Sequence, residues 1–373
     1  PWPVWAALLD PTTARRYFRG CWYVFNNLVE TCPFRPRLLR CVITLGLGTW
    51  QVPDSTGLNH SESHMRPAFT ILFIGLLLAA GTTHASAGHR IILQGNQKLA
   101  ILDSDGKIEW QTRWGGIHDI HVLANGHVML QQGSHKVVEL DPQTNKVVWS
   151  YDAAQQNGNQ GKRIEVHAFQ PLKNGRIMIA ESGSRRIIEI DRSGKILHSI
   201  KLQVDSPHPH HDTRLVRKLP QGNYLACHEK DGAVREYDGS SGKLLWEYRV
   251  PLFGKPRRGG HGIEAFGNQV FAAVRLGNGN TLIATGNGHS VLEVTPQKKI
   301  VWKLEQRDLP GITLGWVTTL EVLPNGNYVI GNCHAGPENP LVIEINPVTR
   351  KVVWTLDQFQ AFGNSVPNSQ ILD

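Results

Sequence analysis

After Gly88 the chain repeats itself, and a repeat that cannot bury its own apolar face must stack against its neighbours. The first recurring element is a strand, a turn and a strand ending in an aromatic residue. ILDSDGKIEW ends at Trp110, ELDPQTNKVVW at Trp149, EIDRSGKILH at His198, EYDGSSGKLLW at Trp246, EVTPQKKIVW at Trp302 and EINPVTRKVVW at Trp354. Successive ends lie 39, 49, 48, 56 and 52 residues apart. The second element is a hairpin around a tight turn: VLANGHVML, PLKNGRIMI, KLPQGNYLA, RLGNGNTLI and VLPNGNYVI. Asn-Gly between alternating apolar residues predicts a two-residue turn with positive φ at both central positions.

Alternating the two elements gives four short antiparallel strands per repeat, the spacing of a propeller blade. Six aromatic-terminated strands predict an all-β, six-bladed β-propeller of four-stranded antiparallel blades. The sixth hairpin is split between residues 369–373 and residues 90–95. The C-terminal strand is therefore expected to pair with the N-terminal strands, closing the ring and removing exposed sheet edges.

Residues 1–64 differ from the rest: they hold no Lys but four Trp and three Cys, without a sustained period of 2 or 3.6. The first Met is Met65, followed by Arg66, an apolar stretch over residues 68–80 and Ala85-Ser86-Ala87. This is the grammar of a signal peptide. The expected organisation is an upstream extension without a fold over 1–64, a signal peptide over 65–87 and the propeller over 88–373. A soluble periplasmic or secreted product follows, with no lipid anchor at Gly88 and no membrane span after cleavage, since no apolar run reaches the roughly 18 residues required. The net charge of +8 is scattered along the chain, which argues against nucleic acid. A monomer is expected.

The D-x-x-T-G-K-x-x-W pattern, clearest from Asp141 to Trp149 and from Asp238 to Trp246, resembles the repeats of the pyrroloquinoline-quinone-like (quinoprotein) β-propeller superfamily. The resemblance implies that each terminal Trp docks one blade on the next. Quinone-dependent alcohol dehydrogenases of this type have eight blades and a vicinal Cys pair. Six blades, and the separation of Cys227 from Cys333, count against the quinone here.

Repetition also separates framework from candidates for function. Glu139, Glu189, Glu236, Glu293 and Glu344 share one place in the third strand and are expected to serve each blade. The Trp set is expected to pack between blades, each worth about 3–5 kcal/mol. Histidine breaks the repetition. Ten of the fourteen histidines after Gly88 fall on the face of the blade-to-blade connections: His118, His135, His167, His208, His210, His211, His228, His261, His289 and His334. His118, His167 and His211 are each placed at the entry of an innermost strand, facing the channel, and Asp119 and Asp212 follow two of them. The candidate ligand site is therefore His118, Asp119, His167, His210, His211, Asp212, His228, His261, His289 and His334, with His211 as the candidate catalytic residue. Converging imidazoles can ligate a divalent metal, attract an anion or act as a base. No local zinc spacing exists, so a metal would need ligands from separate blades.

His210-His211-Asp212 leading to Leu219-Pro220-Gln221-Gly222-Asn223 is also similar to the repeats of bacterial arylsulfate sulfotransferases. That resemblance implies His211 as nucleophile, with His118, His167 and Arg214 as partners. Two function classes stay open at this point: a site for a small polar or anionic ligand, catalytic or not, and a scaffold for a protein partner such as the propeller that assists outer-membrane protein assembly. The clustered polar face favours the small ligand.

Overall fold

The computed structural model describes residues 88–373, so the expectations for 1–64 and 65–87 lie outside the described residues. In each hairpin element the leucine before the turn closes it. Gly126 N–H donates to the Leu123 carbonyl at 2.9 Å, and Leu123 N–H to the His127 carbonyl at 2.8 Å. The pair recurs at Leu172, Leu219, Leu276 and Leu323. Only the glycine of each turn enters the left-handed region, from +78° at Gly175 to +99° at Gly222. This corrects the expected two-residue turn. Asn125 keeps an ordinary φ because its Oδ1 accepts the His127 N–H at 3.0 Å, giving a three-residue loop closed by a glycine bulge.

These hairpins build six four-stranded antiparallel sheets. Counting outward from the channel, blade 1 is Ser369–Ile371, Ile91–Gly95, Lys98–Leu102 and Ile108–Arg113, with Leu93 opposite Ser369 and Ile91 opposite Ile371. The C-terminal strand thus supplies the innermost strand of the first blade, as the split hairpin implied. Blades 2 to 6 span residues 120–152, 165–201, 216–249, 272–305 and 316–356. Alternate residues of one strand face opposite neighbours. Ile91 and Leu93 pack with Val329 and Val342 of blade 6, whereas Ile92 packs with Val128, Leu130 and Val138 of blade 2. Four more clusters join blades 2–3, 3–4, 4–5 and 5–6, and the ring is closed. Among the described residues no helix is long and apolar enough to cross a membrane.

The repeated residues do framework work. Glu236 accepts from Asn223 of its own hairpin at 2.8 Å and from Arg275 of the next blade at 2.7 Å. Glu139 joins His127 to Arg192 in the same way, and Glu344 joins Asn327 to His89. Trp149, Trp246 and Trp302 each donate their indole N–H to a turn carbonyl of the next blade, at 2.7 to 2.9 Å. His198, which stands where the other blades have Trp, reaches the Gly239 carbonyl with Nε2 at 2.6 Å and makes the equivalent link. These indoles are only partly buried. Trp246, capped by the Arg275 guanidinium at 5.4 Å, is therefore expected to contribute less than a core Trp. Trp246→Ala should cost about 2–3 kcal/mol in urea unfolding and leave the channel face unchanged.

Cys227 and Cys333 are buried free thiols in blades 4 and 6, with blade 5 between them. Burial pushes both thiols up, that of Cys333 to about 12.

Candidate functional site

The innermost strands aim their first residues across the channel mouth, and two β-bulges adjust that aim. In blade 3, Val166 pairs with Glu181 and Ala168 with Ala180, so His167 is the extra residue of a bulge. In blade 6 the register breaks between Val317 and Leu320, which frees Thr318 and Thr319 from the ladder. His167 and Thr318 both reach a cavity of about 480 Å³ at the mouth. Its wall also holds His118, His210, His211, His261 and His334, with Arg214, Glu165, Glu229 and Gln131, and Phe271 and Trp316 supply the apolar part.

Arg214 organises the polar wall. Its Nε pairs with Glu229 at 2.5 Å, and Nη1 donates to the His210 carbonyl at 2.7 Å. Nη1 also meets His167 Nδ1 at 3.1 Å, and Nη2 meets His210 Nε2 at 3.2 Å. A guanidinium only donates, so His210 Nε2 accepts and its Nδ1 carries the proton, which goes to Glu165 Oε2 at 2.6 Å. His167 Nδ1 faces both the Arg214 donor and the Thr213 carbonyl at 3.0 Å, and its Nε2 lies 3.3 Å from the same Glu165 oxygen. Burial first, then the Arg214 charge, lowers the His167 pKa to about 4, so this imidazole is neutral near pH 7. The His167 hydrogen bond is the chief cause holding Glu165 well below the usual carboxylate range. The result is a closed chain of Glu229, Arg214, the His167 and His210 imidazoles and Glu165.

The other histidines are less committed. Gln131 Oε1 accepts from both the backbone and Nδ1 of His118, at 3.0 and 3.2 Å, leaving Nε2 as a free acceptor. The His118 ring lies 4.5 Å from that of His167 and stacks on Phe271 at 6.5 Å. Burial and the neighbouring His167 keep it well below the ordinary histidine value. His211 Nδ1 stands 3.1 Å from Glu229 Oε1 without hydrogen-bond alignment, and Nε2 has no protein partner among the described residues. His261 stacks on Trp316 at 5.6 Å and lies 5.8 Å from His334.

Of the ten residues expected at the site, the structure brings together His118, His167, His210, His211, His261 and His334. The other four are placed elsewhere. Asp119 is fully buried and receives both Arg217 Nη atoms at 2.8 Å; burial would raise its carboxyl, but Arg217 prevails and holds it at about 2. Asp212 accepts the Gly183 and His208 backbone N–H groups at 2.9 and 2.5 Å. His228 is buried between the Asp212 carbonyl at 2.7 Å and the Tyr237 hydroxyl at 2.9 Å. His289 bridges the Gly315 and Ala265 carbonyls, outside this cavity. Glu165 and Glu229 were missed, although both depart from the repeated Glu position. Glu165 stands two residues before His167 at the same strand entry, and Glu229 directly follows His228 in a mouth-side loop. The three residues implied as partners of His211, namely His118, His167 and Arg214, line the same cavity.

Two groups can be tested against this wall. Glu165, His167 and His210 bring one ligand atom each within 4.8 Å of the others, a spacing that suits a divalent ion. A metal on those atoms would move the ring protons to the nitrogens facing Arg214. His167 Nδ1 could still donate to the Thr213 carbonyl at 3.0 Å, but His210 Nε2–H would confront the Arg214 Nη2 donor. The donor set does not fit a metal while Arg214 holds this position. Pyrroloquinoline quinone, a tricarboxylate, does not fit either: the wall has one Arg, already paired, against two carboxylates.

No curated protein matches the chain. Among solved structures, a protein of unknown function from Bacteroides caccae is 22% identical with a TM-score of 0.62, over 76% of this chain and 98% of that one. A streptogramin B lyase is 12% identical with a TM-score of 0.50, over 78% of this chain and 95% of that one. BamB from Moraxella catarrhalis is 15% identical with a TM-score of 0.41, over 69% and 66%. The first two share the propeller fold with this chain. The sequence profile of one family matches residues 95–356, nearly the whole ring of PQQ-like repeats, and the chain belongs to that family, the outer membrane protein assembly factor BamB family.

Proposed function

We propose that this propeller binds a small polar molecule in the histidine-lined cavity at the channel mouth. The observation that carries the reading is the closed chain from Glu229 through Arg214, His167 and His210 to Glu165, which fixes two imidazoles at the edge of an enclosed space. His118 Nε2 and His211 Nε2 remain to meet a ligand, and Phe271 and Trp316 supply apolar contact. The wall carries one Arg, already paired, against Glu165 and Glu229, so a neutral, hydrogen-bonding ligand is favoured over an anion. His167 and His118, both held well below the ordinary histidine value by burial, stay neutral near pH 7 and keep the wall a hydrogen-bonding one. A periplasmic or secreted location belongs to the same proposal, supported by the family and by the signal-like segment 65–87.

His211→Ala should abolish binding while changing stability by less than about 1 kcal/mol, since the side chain is part-exposed and unaligned with its neighbour. The check is a thermal-shift screen of sugars, sulfate esters, carboxylates and the quinone on both proteins. A ligand that stabilises wild type and His211→Ala equally would sink the reading.

The family supports a second reading, docking of a protein partner during membrane-protein assembly. Apolar side chains around the outer rim bear on it: Val148 of blade 2, Leu245 of blade 4 and Val301 of blade 5 are 52%, 49% and 56% exposed, each beside its blade's terminal Trp. Charged substitutions there would break docking and spare ligand binding.

A further inference from the structure

A second cavity, of about 490 Å³, lies on the same face and shares no lining residue with the first. It forms where the connection between blades 4 and 5 folds over the end of the outer strand Ile300–Glu305 and the 3-10 turn Gln306–Asp308. The volume suits a small molecule.

Its charge is one-sided. Lys255, Arg258, Lys303 and Arg307 face a single carboxylate, Glu305, which is already shared by Lys303 at 2.6 Å and Arg307 at 2.9 Å. Among the described residues Lys255 and Arg258 make no ion pair, although they stand on the connection that forms the cavity roof. Two unpaired cations in a concave site are a standing attraction for an anion.

The same cavity keeps large apolar side chains in water. Phe253 is 44% exposed and Ile263 53% exposed. Lys303 Nζ sits 3.7 Å over the Phe253 ring and Lys255 Nζ 5.3 Å over that of Phe266, so apolar surface and positive charge are interleaved. The connection is also pinned. Arg258 and Phe266 exchange backbone hydrogen bonds at 2.8 and 2.9 Å, and the His289 ring sits between the Ala265 and Gly315 carbonyls at the cavity edge. A pinned roof means that little ordering is needed on binding.

We infer that this cavity binds a small anionic amphiphile, with its apolar body against Phe253 and Ile263 and its anionic headgroup against Lys255 and Arg258. A neutral apolar ligand would leave the two cations uncompensated. An uncharged polar one would gain nothing from Phe253.

The probes are anilinonaphthalene sulfonate and its uncharged relative phenylnaphthylamine, followed by fluorescence on the full chain. The sulfonate is expected to saturate one site and to bind about tenfold or more tightly than the uncharged dye, a charge contribution that added salt should weaken. Lys255→Glu with Arg258→Glu should lower the sulfonate affinity by at least about tenfold, and Arg307→Glu, on the opposite wall, should lower it independently. His211→Ala should leave it unchanged. Equal affinity for the two dyes, unchanged affinity in the charge-reversal variants, or loss only in His211→Ala would each overturn the inference. Co-sedimentation with phosphatidylglycerol vesicles that depends on Lys255 and Arg258 would also overturn it, since it would make this face a membrane-docking surface.

Discussion

Deleting residues 366–373 is expected to lower the melting temperature by about 10 °C or more and to abolish ligand binding at the channel mouth, for one structural reason. These eight residues carry the innermost strand of blade 1. Without them Ile91 to Leu93 lose their partners and the ring has a bare inner edge between blades 6 and 2. Val366 is buried in the cluster that joins blade 1 to blade 6. Asn368 Nδ2 donates to the His118 carbonyl at 3.0 Å, and Ser369 N–H donates to Thr319 Oγ1 at 3.0 Å. The Asp373 carboxylate takes the Arg90 N–H at 2.8 Å and pairs with His89. One buried Val at about 2 kcal/mol and several hydrogen bonds at about 1 kcal/mol each bring the loss to about 5 kcal/mol or more. The ligand site falls with the strand because Pro367 lines the cavity and Asn368 anchors His118. Differential scanning calorimetry with a dye-exposure control is the check. An unchanged melting temperature would mean that closure between blades 6 and 2 does not depend on this strand.

The blade count was legible because it is written six times, and the closure because one hairpin is split between residues 369–373 and 90–95; even the exception, His198 for Trp, keeps the indole's link to the next blade. The turn type was not, because Asn-Gly matches two hairpin geometries. What separates them is whether the Asn side chain accepts the N–H two residues on, as Asn125 does from His127. The histidine face was legible as a departure from repetition. The split within it was not. His167 enters the cavity through a bulge that adds one residue to its strand, while Asp119, just before the adjacent inner strand, is turned to Arg217 of a blade two repeats away. Arg214 and Glu229 flank one hairpin of blade 4, where Arg214 N–H donates to the Cys227 carbonyl at 2.8 Å, but both lie outside the strands that recur, so repetition did not mark them.

Acid should destabilise the propeller, and Glu321→Gln should make the decline steeper while raising stability at neutral pH. Burial and the charge of Arg235 hold His228 at about 4, and burial and Arg214 hold His167 at about 4. Each has a folded pKa below the unfolded value of about 6.5, so the unfolded chain binds more protons between these limits. The stability they contribute is complete above about pH 6.5 and falls away towards pH 4, at about 3 kcal/mol for each residue. His118, shifted the same way by burial and by His167, adds to the loss. Glu321 acts in the opposite sense. It projects from the inner strand of blade 6 and accepts the Ile371 N–H of the closing strand, and burial raises its carboxyl to about 7. The folded state therefore binds the extra proton between about pH 7 and 4.5, and stability is gained as pH falls through that window. His89 assists: burial opposes its protonation, but Asp373 and Glu344 outweigh that and raise its pKa. The wild-type curve is a partial cancellation, with a net loss of about 3 kcal/mol or more from pH 7 to 4.5. Glu321→Gln removes the cost of holding a carboxylate in this half-buried position, raising stability at pH 7.5 by about 1–2 kcal/mol, and the histidine loss then appears less diminished. His228→Gln should flatten the curve by about one histidine's share, about 3 kcal/mol. Urea unfolding of the three proteins at half-unit intervals from pH 4.5 to 7.5 measures these slopes. A Glu321→Gln protein that is less stable than wild type at pH 7.5, or parallel to it throughout, would show that Glu321 stays ionised beside the closing strand.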